Sequence, residues 1–175
     1  DSLNESSRLL LLAAAKLNPQ RIPKSELSMH LRNALNWSEE EVTQALDFAE
    51  DAQVIAVAGH LSMHQLFAAF LSERPVDPGD EQRLASVRAV QWTRFVELAS
   101  GLVESPADLA LAQLFIGYSL APARWGDLRP TALSKDGTTI GQALLEIGQF
   151  AEARPWFERA ISEKERGDVH GRIDH

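Results

Sequence analysis

Two histidines four residues apart, His60 and His64, are the first side chains whose type and spacing suggest chemistry, because such a pair on one helix can bind zinc. They straddle the junction between an expected hairpin and an expected helix, and the glutamate of H-E-x-x-H is absent. No zinc protease site is therefore expected. Asp168, His170, Asp174 and His175 carry metal-ligating groups, but their polar surroundings read as a solvated loop. Lys135-Asp136-Gly137-Thr138-Thr139 has the look of a phosphate loop, yet Asp-Gly accounts for a turn and threonine for the cap of the next helix. There is no G-x-S-x-G and no G-x-x-x-x-G-K-[ST]. The chain has no cysteine, which removes disulfides, thiolate metal sites and cysteine nucleophiles together. The expectation is a chain with no catalytic residue, no metal ligand and no cofactor of its own.

These side chains must be positioned by ordinary globular elements. The 175 residues are 45% hydrophobic and 24% charged, which suits one domain or two small ones with a real core. Seventeen Lys and Arg against 25 Asp and Glu leave a net charge of -8, which disfavours a phosphate backbone as partner. The longest apolar run, Leu9 to Ala15, is far short of the roughly 18 to 20 residues of a membrane span. Asp1 and Glu5 stand where a signal peptide would be positive, so the run reads as a buried helix. A cytoplasmic protein without a membrane partner is expected. The chain begins with Asp1 and stops at His175 inside an unfinished pattern, so an excerpt of a longer protein is expected.

Asn4 to Leu17 reads as a helix capped by Ser6 or Ser7 and stopped by Asn18-Pro19. Ile22-Pro23 is extended, because the residue before proline is pushed away from helical angles. Leu27, Leu31 and Leu35 stripe a second helix from Ser25. Ser38 with Glu39, Glu40 and Glu41 opens a third, whose inner face is Val42, Leu46 and Ala49. Val54 to Ala58 and Leu61 to Met63 read as a hairpin turned by Gly59, and Leu66, Phe67, Phe70 and Leu71 carry a helix to Arg74-Pro75. Val76 to Asp80 has the composition of a linker or sharp turn. A long helix ending near Gly101 follows, then one opened by Ser105-Pro106 and carrying Leu109, Ala112, Leu114 and Phe115, then a brief helical turn with Trp125. Arg129 to Thr139 reads as a loop, and the tryptophans as packing residues.

Thr139 to Ile161 carries the strongest pattern. Ile140, Gly141, Leu144, Gly148, Phe150, Ala153, Phe157 and Ala160 fall at the packing positions of a tetratricopeptide repeat, which the segment resembles. Small Gly141 and Ala153 let two antiparallel helices approach, and Gly148-Gln149 turns between them. One repeat cannot cover its own apolar face, so stacking on the upstream helices and on a further repeat begun within Gly167 to His175 is expected. The resemblance implies a concave surface for protein or peptide, with Lys135, Thr138, Gln142, Leu145 and Glu146 facing the groove.

The order helix, short strand, helix, helix, hairpin, helix resembles a winged helix over Asp1 to about Arg74. A DNA-reading third helix needs Arg, Lys, Asn or Gln outward, but this one offers Glu39, Glu40, Glu41, Asp47, Glu50 and Asp51. Met63-His64, where the hairpin enters the last helix, resembles the methionine-histidine-aspartate motif of STAND signalling ATPases, the group that includes NB-ARC proteins. Gln65 stands in place of that aspartate. The resemblance implies a nucleotide-binding domain upstream, with His64 touching the phosphate of ADP, so ADP or ATP belongs to the full-length protein. The residues alone offer another account, in which Met63 packs in the core and His64 caps the helix.

The expected fold is mainly α, a winged-helix-like domain with a small β-hairpin followed by an antiparallel helical, tetratricopeptide-like array. Its parts are a winged-helix-like domain at 1–74, a helical connector at 75–138, and a repeat with the start of the next at 139–175. The expected function is a regulatory or sensor fragment of a STAND-type signalling ATPase, relaying nucleotide state through the winged helix and binding protein or ligand through the repeats. The alternatives are a stand-alone scaffold for protein–protein interaction and, less favoured, a DNA-binding transcriptional regulator.

Overall fold

The apolar run at Leu9 lies inside helix α1, Glu5–Ala14, in a computed structural model that describes residues 5–58, 60–119, 122–125 and 130–171. Leu9, Leu10, Leu11, Ala13 and Ala14 are all buried, so α1 is covered around most of its circumference. Ser6 and Ser7 are not its cap, because both already lie within the helix. The buried Ser7 hydroxyl instead donates to the Ala45 carbonyl at 3.2 Å. Ile22, held extended before Pro23, bridges Leu61 with two backbone hydrogen bonds of 2.9 Å.

Helix α2, Lys24–Leu35, buries Leu27 and Leu31 and ends on Asn36 in the left-handed region, a conformation that asparagine tolerates well. Helix α3, Glu39–Asp51, begins with the expected capping box: Glu41 N–H donates to Ser38 Oγ at 3.2 Å, and Ser38 N–H to Glu41 Oε2 at 2.7 Å. Val42, Leu46 and Ala49 form its inner face as the spacing predicts. Strands β1, Ile55–Ala58, and β2, His60–Met63, pair antiparallel with Ile55 opposite Met63. The expected turn at Gly59 lies outside the described residues. Helix α4, Gln65–Glu73, follows, burying Ala68 and Leu71. Leu66 and Phe70, expected on its inner face, are 75% and 54% exposed, since Ala68 and Leu71 define a buried face that turns both outward.

Of the linker expected at Val76 to Asp80, Val76 and Asp77 do connect two helices, but Pro78 to Asp80 already belong to α5, Pro78–Glu104. Proline suits a first helical turn, and Asp77 Oδ1 accepts the Gly79 N–H at 2.9 Å, so turn-like composition here encodes a helix start. Helix α6, Leu109–Tyr118, opens three residues beyond Ser105-Pro106, where Asp108 Oδ1 accepts the Leu111 N–H at 3.0 Å. A tight helical turn at Pro122–Trp125 brings the buried Trp125.

The loop expected from Arg129 to Thr139 is also corrected: Arg129 is not described, and helix α7 runs through Pro130–Glu146. Gly137 is neither a turn nor the prelude to a cap. It is buried inside the helix, where a Cβ would make ordinary contact, 3.4 Å from the Trp156 carbonyl oxygen of α8, Phe150–Gly171. The loop expected from Gly167 is helical to Gly171, and residues 172–175, with Asp174 and His175, lie outside the described residues. Glu163, buried on α8, is paired with Arg159 at 2.9 Å and Arg166 at 3.3 Å. Those pairs brace α8 in the turns just before Gly167.

The described residues are thus mainly helical, with eight α-helices and one two-stranded antiparallel sheet. None of the described helices is long and apolar enough to cross a membrane. The chain divides into two compact units, Asp1–Arg94 with Ile116–Ser119, and Phe95–Phe115 with Leu120–His175. Leucines of α1 to α3 dominate the core of the first. In the second, the Phe95 ring is stacked with Phe115 at 5.1 Å and Trp125 at 5.5 Å and meets Trp156 edge-on at 5.7 Å.

Candidate functional site

The hairpin-to-helix junction of the first unit is built by backbone pairing. Met63 ends β2 opposite Ile55, is buried, and donates its N–H to the Pro19 carbonyl at 2.6 Å. The next residue, His64, leaves the sheet in an extended conformation and becomes the N-cap of α4, its Nδ1 accepting the Leu66 N–H at 3.3 Å. Both features of the packing-and-capping account are therefore present. Capping also has a chemical result: an accepting Nδ1 puts the neutral ring's proton on Nε2, making that nitrogen a donor. His64 is exposed at the positive end of a helix of nine residues. His60 is exposed at the start of β2, so the two histidines belong to different elements. Asp168 and His170 fall within α8.

In the second unit α7 and α8 pair antiparallel. Gly137 faces Trp156 and Ala160, and Gly141 faces the Phe157 ring so closely that a Cβ would meet it at 2.7 Å. Ile140, Gly141, Leu144, Ala153 and Ala160 are buried and Phe157 is half-buried. Gly148 turns between the helices at φ +77°, with Gly148 N–H donating to the Leu145 carbonyl at 3.0 Å and Gln149 N–H to that of Leu144 at 2.8 Å. Phe150 departs from its expected packing role: as the first residue of α8 it is 69% exposed, and the inner position is taken by Trp156, which is buried. Lys135, Thr138, Gln142, Leu145 and Glu146 are all exposed and fall on one stripe of α7.

Sequence reading passes over a buried polar cluster in the first unit. His30 and Tyr118 are fully buried, and the phenol oxygen lies 3.2 Å from His30 Nε2 and 3.5 Å from Glu26 Oε2. Arg94 donates to both carboxylate oxygens of Glu26, Nε to Oε2 at 2.9 Å and Nη2 to Oε1 at 3.1 Å. Burial, opposed by Glu26 and helped by Arg94, pushes His30 down from 6.5 to about 4. Burial and the nearby Glu26 carboxylate hold the Tyr118 phenol well above its usual value. Only the i, i+4 pair Glu26 and His30 leaves a local trace in the sequence, and it gives no hint of residues 94 and 118.

Two open clefts of about 490 and 560 Å³ lie on the first unit, one beside Glu5, Trp37 and Arg83, the other between Lys24, Met29, Glu39 and Thr43. Among the described residues no group of three or more His, Cys, Asp or Glu could hold a metal ion. Compared with family models, curated proteins and solved structures, the chain matches none.

Proposed function

We propose that this chain is the regulatory segment of a STAND-type signalling ATPase, in which a winged helix relays nucleotide state and a tetratricopeptide-like helix pair binds a protein or peptide. The observation that carries the reading is His64: exposed, fixed by its Nδ1 bond to Leu66 N–H, and located at a helix N-terminus. A donor nitrogen beside a positive helix end suits a phosphate oxygen of ADP. ADP would be held mainly by a nucleotide-binding domain other than this segment, and His64 would contribute a contact that favours the closed state. The succession of α1, the Ile22 bridge, α2, α3, hairpin and α4 supports the winged-helix reading. The glycine-faced pair α7 and α8 supports the repeat reading, and its outer stripe from Lys135 to Glu146 is the surface offered to the partner.

A charge-assisted contact of about 1.5 to 3 kcal/mol shifts a closed-to-open equilibrium roughly tenfold to a hundredfold. In the intact protein, His64→Ala is expected to shorten ADP retention and raise spontaneous activation by factors in that range. His64→Asp, which keeps a capping oxygen but has no hydrogen to donate, separates nucleotide contact from helix capping. It is expected to release ADP as fast as the alanine variant while melting like wild type. Nucleotide release unchanged in both variants would remove this role from His64 and leave the scaffold reading, in which the α7 stripe binds its partner without nucleotide control.

A further inference from the structure

Within the first unit, the end of α6 makes an unusually close backbone approach to the segment before α2. A Cβ on Gly117 would lie 2.8 Å from the Arg21 carbonyl oxygen and from the Pro23 ring, so only glycine fits without displacing backbone. The Gly117 carbonyl accepts the Asn18 N–H at 2.9 Å. The next side chain, Tyr118, enters the buried space beside α2 and meets His30 edge to face, with 5.8 Å between ring centroids. The phenol oxygen lies 3.2 Å from His30 Nε2, 3.4 Å from His30 Nδ1 and 3.5 Å from Glu26 Oε2. Of the groups that face His30, α2 supplies Glu26, α5 supplies Arg94 and α6 supplies Tyr118. The buried residues of α1, α3 and α4 are apolar apart from Ser7. The charges of Glu26 and Arg94 offset each other, and the Glu26 carboxylate is already engaged by Arg94 when the imidazole becomes charged.

We propose that Glu26, His30, Arg94 and Tyr118 form an acid-released latch, which holds Ile116–Ser119 against α2 and frees it when His30 gains a proton. Protonation leaves both imidazole nitrogens as donors, so neither can accept the phenol hydrogen, and places a second cation beside Arg94. Both oxygens of the one carboxylate are already engaged by that arginine. Nε2 lies 3.7 Å from Glu26 Oε2, so pairing the new charge requires the Arg94 fork to loosen. Release returns the imidazole to water and to its ordinary affinity for protons. Because the docked value is depressed, the latch is intact above about pH 6.5 and weakens as pH falls toward about 4. Going from neutral pH to about pH 5 favours the released state roughly 30-fold, and the limit at lower pH is about 300-fold.

Amide hydrogen exchange of the intact protein, corrected for the intrinsic pH dependence of exchange, tests the latch. Protection at Gly117, Tyr118 and Ser119 is expected to fall about 30-fold between neutral pH and about pH 5, while α3 amides hold theirs. His30→Gln, which cannot be protonated, is expected to show the same protection at both values. Gly117→Ala should be unprotected at neutral pH already. Equal protection of wild type at both values would overturn the proposal, as would an equal loss in His30→Gln or a parallel loss through α3. If His30→Gln does not fold, the wild-type ring decides by its NMR titration: a midpoint well below 6.5 supports the latch, and one at or above 6.5 ends it.

Discussion

Arg94 meets Glu26 with two nitrogens in surroundings where the carboxylate is nearly enclosed, so removing the arginine does more than delete an ion pair. It leaves a buried negative charge whose remaining neighbours, Tyr118 and His30, are neutral. Arg94→Ala is therefore expected to cost about 3 kcal/mol in urea unfolding at neutral pH. Arg94→Met with Glu26→Met should cost clearly less than the single change, because no charge is stranded. The reason this site is hard to read in sequence is physical. Glu26 and His30 share a helix face at i, i+4, but Arg94 and Tyr118 come from helices whose docking is a tertiary fact, and at sequence separations of 68 and 88 the chain between carries no trace of it. Met63 and His64 were legible because one junction fixes both: the strand ends where its pairing ends, and the helix starts where its first amide needs an acceptor.

At the scale of elements, the signals that act within one helical turn were legible. The capping box at Ser38, the stripe Val42, Leu46 and Ala49, and the extended Ile22 are all present. The misreadings share one cause, since proline, glycine and aspartate mark helix starts and close helix contacts as well as loops. Pro78 and Gly79 lie in the first turn of α5, and Gly137 lies inside α7. The two buried glycines of α7 make a contrasting pair. A methyl at Gly137 would reach only ordinary contact distance from α8, so Gly137→Ala should keep the helix-propensity gain of about 1 kcal/mol and raise the melting temperature. A methyl at Gly141 would strike the Phe157 ring, so Gly141→Ala is expected to lower stability by about 1 to 2 kcal/mol despite the same gain. Phe157→Leu in that background should recover part of the loss; thermal melts of the three variants check the signs.

For the whole molecule, composition already excluded more than it assigned. The net charge of -8 has a definite location in part, because the outer surface of α3 exposes Glu39, Glu40, Glu41, Asp47, Glu50 and Asp51. That face repels a phosphate backbone. No retardation of duplex DNA is expected at near-physiological salt, and a gel-shift titration that found salt-sensitive binding would revive the transcriptional reading. The division of the chain between Arg94 and Phe95, inside one continuous helix, has no mark in composition, because a helix interior reads alike on both sides of such a boundary. The chain has a single tyrosine, and its hydroxyl is the buried one at position 118. Its ultraviolet ionisation band is therefore silent in the folded chain and appears in alkali only as that ring reaches solvent, which gives the protein a built-in, label-free optical clock for its own opening.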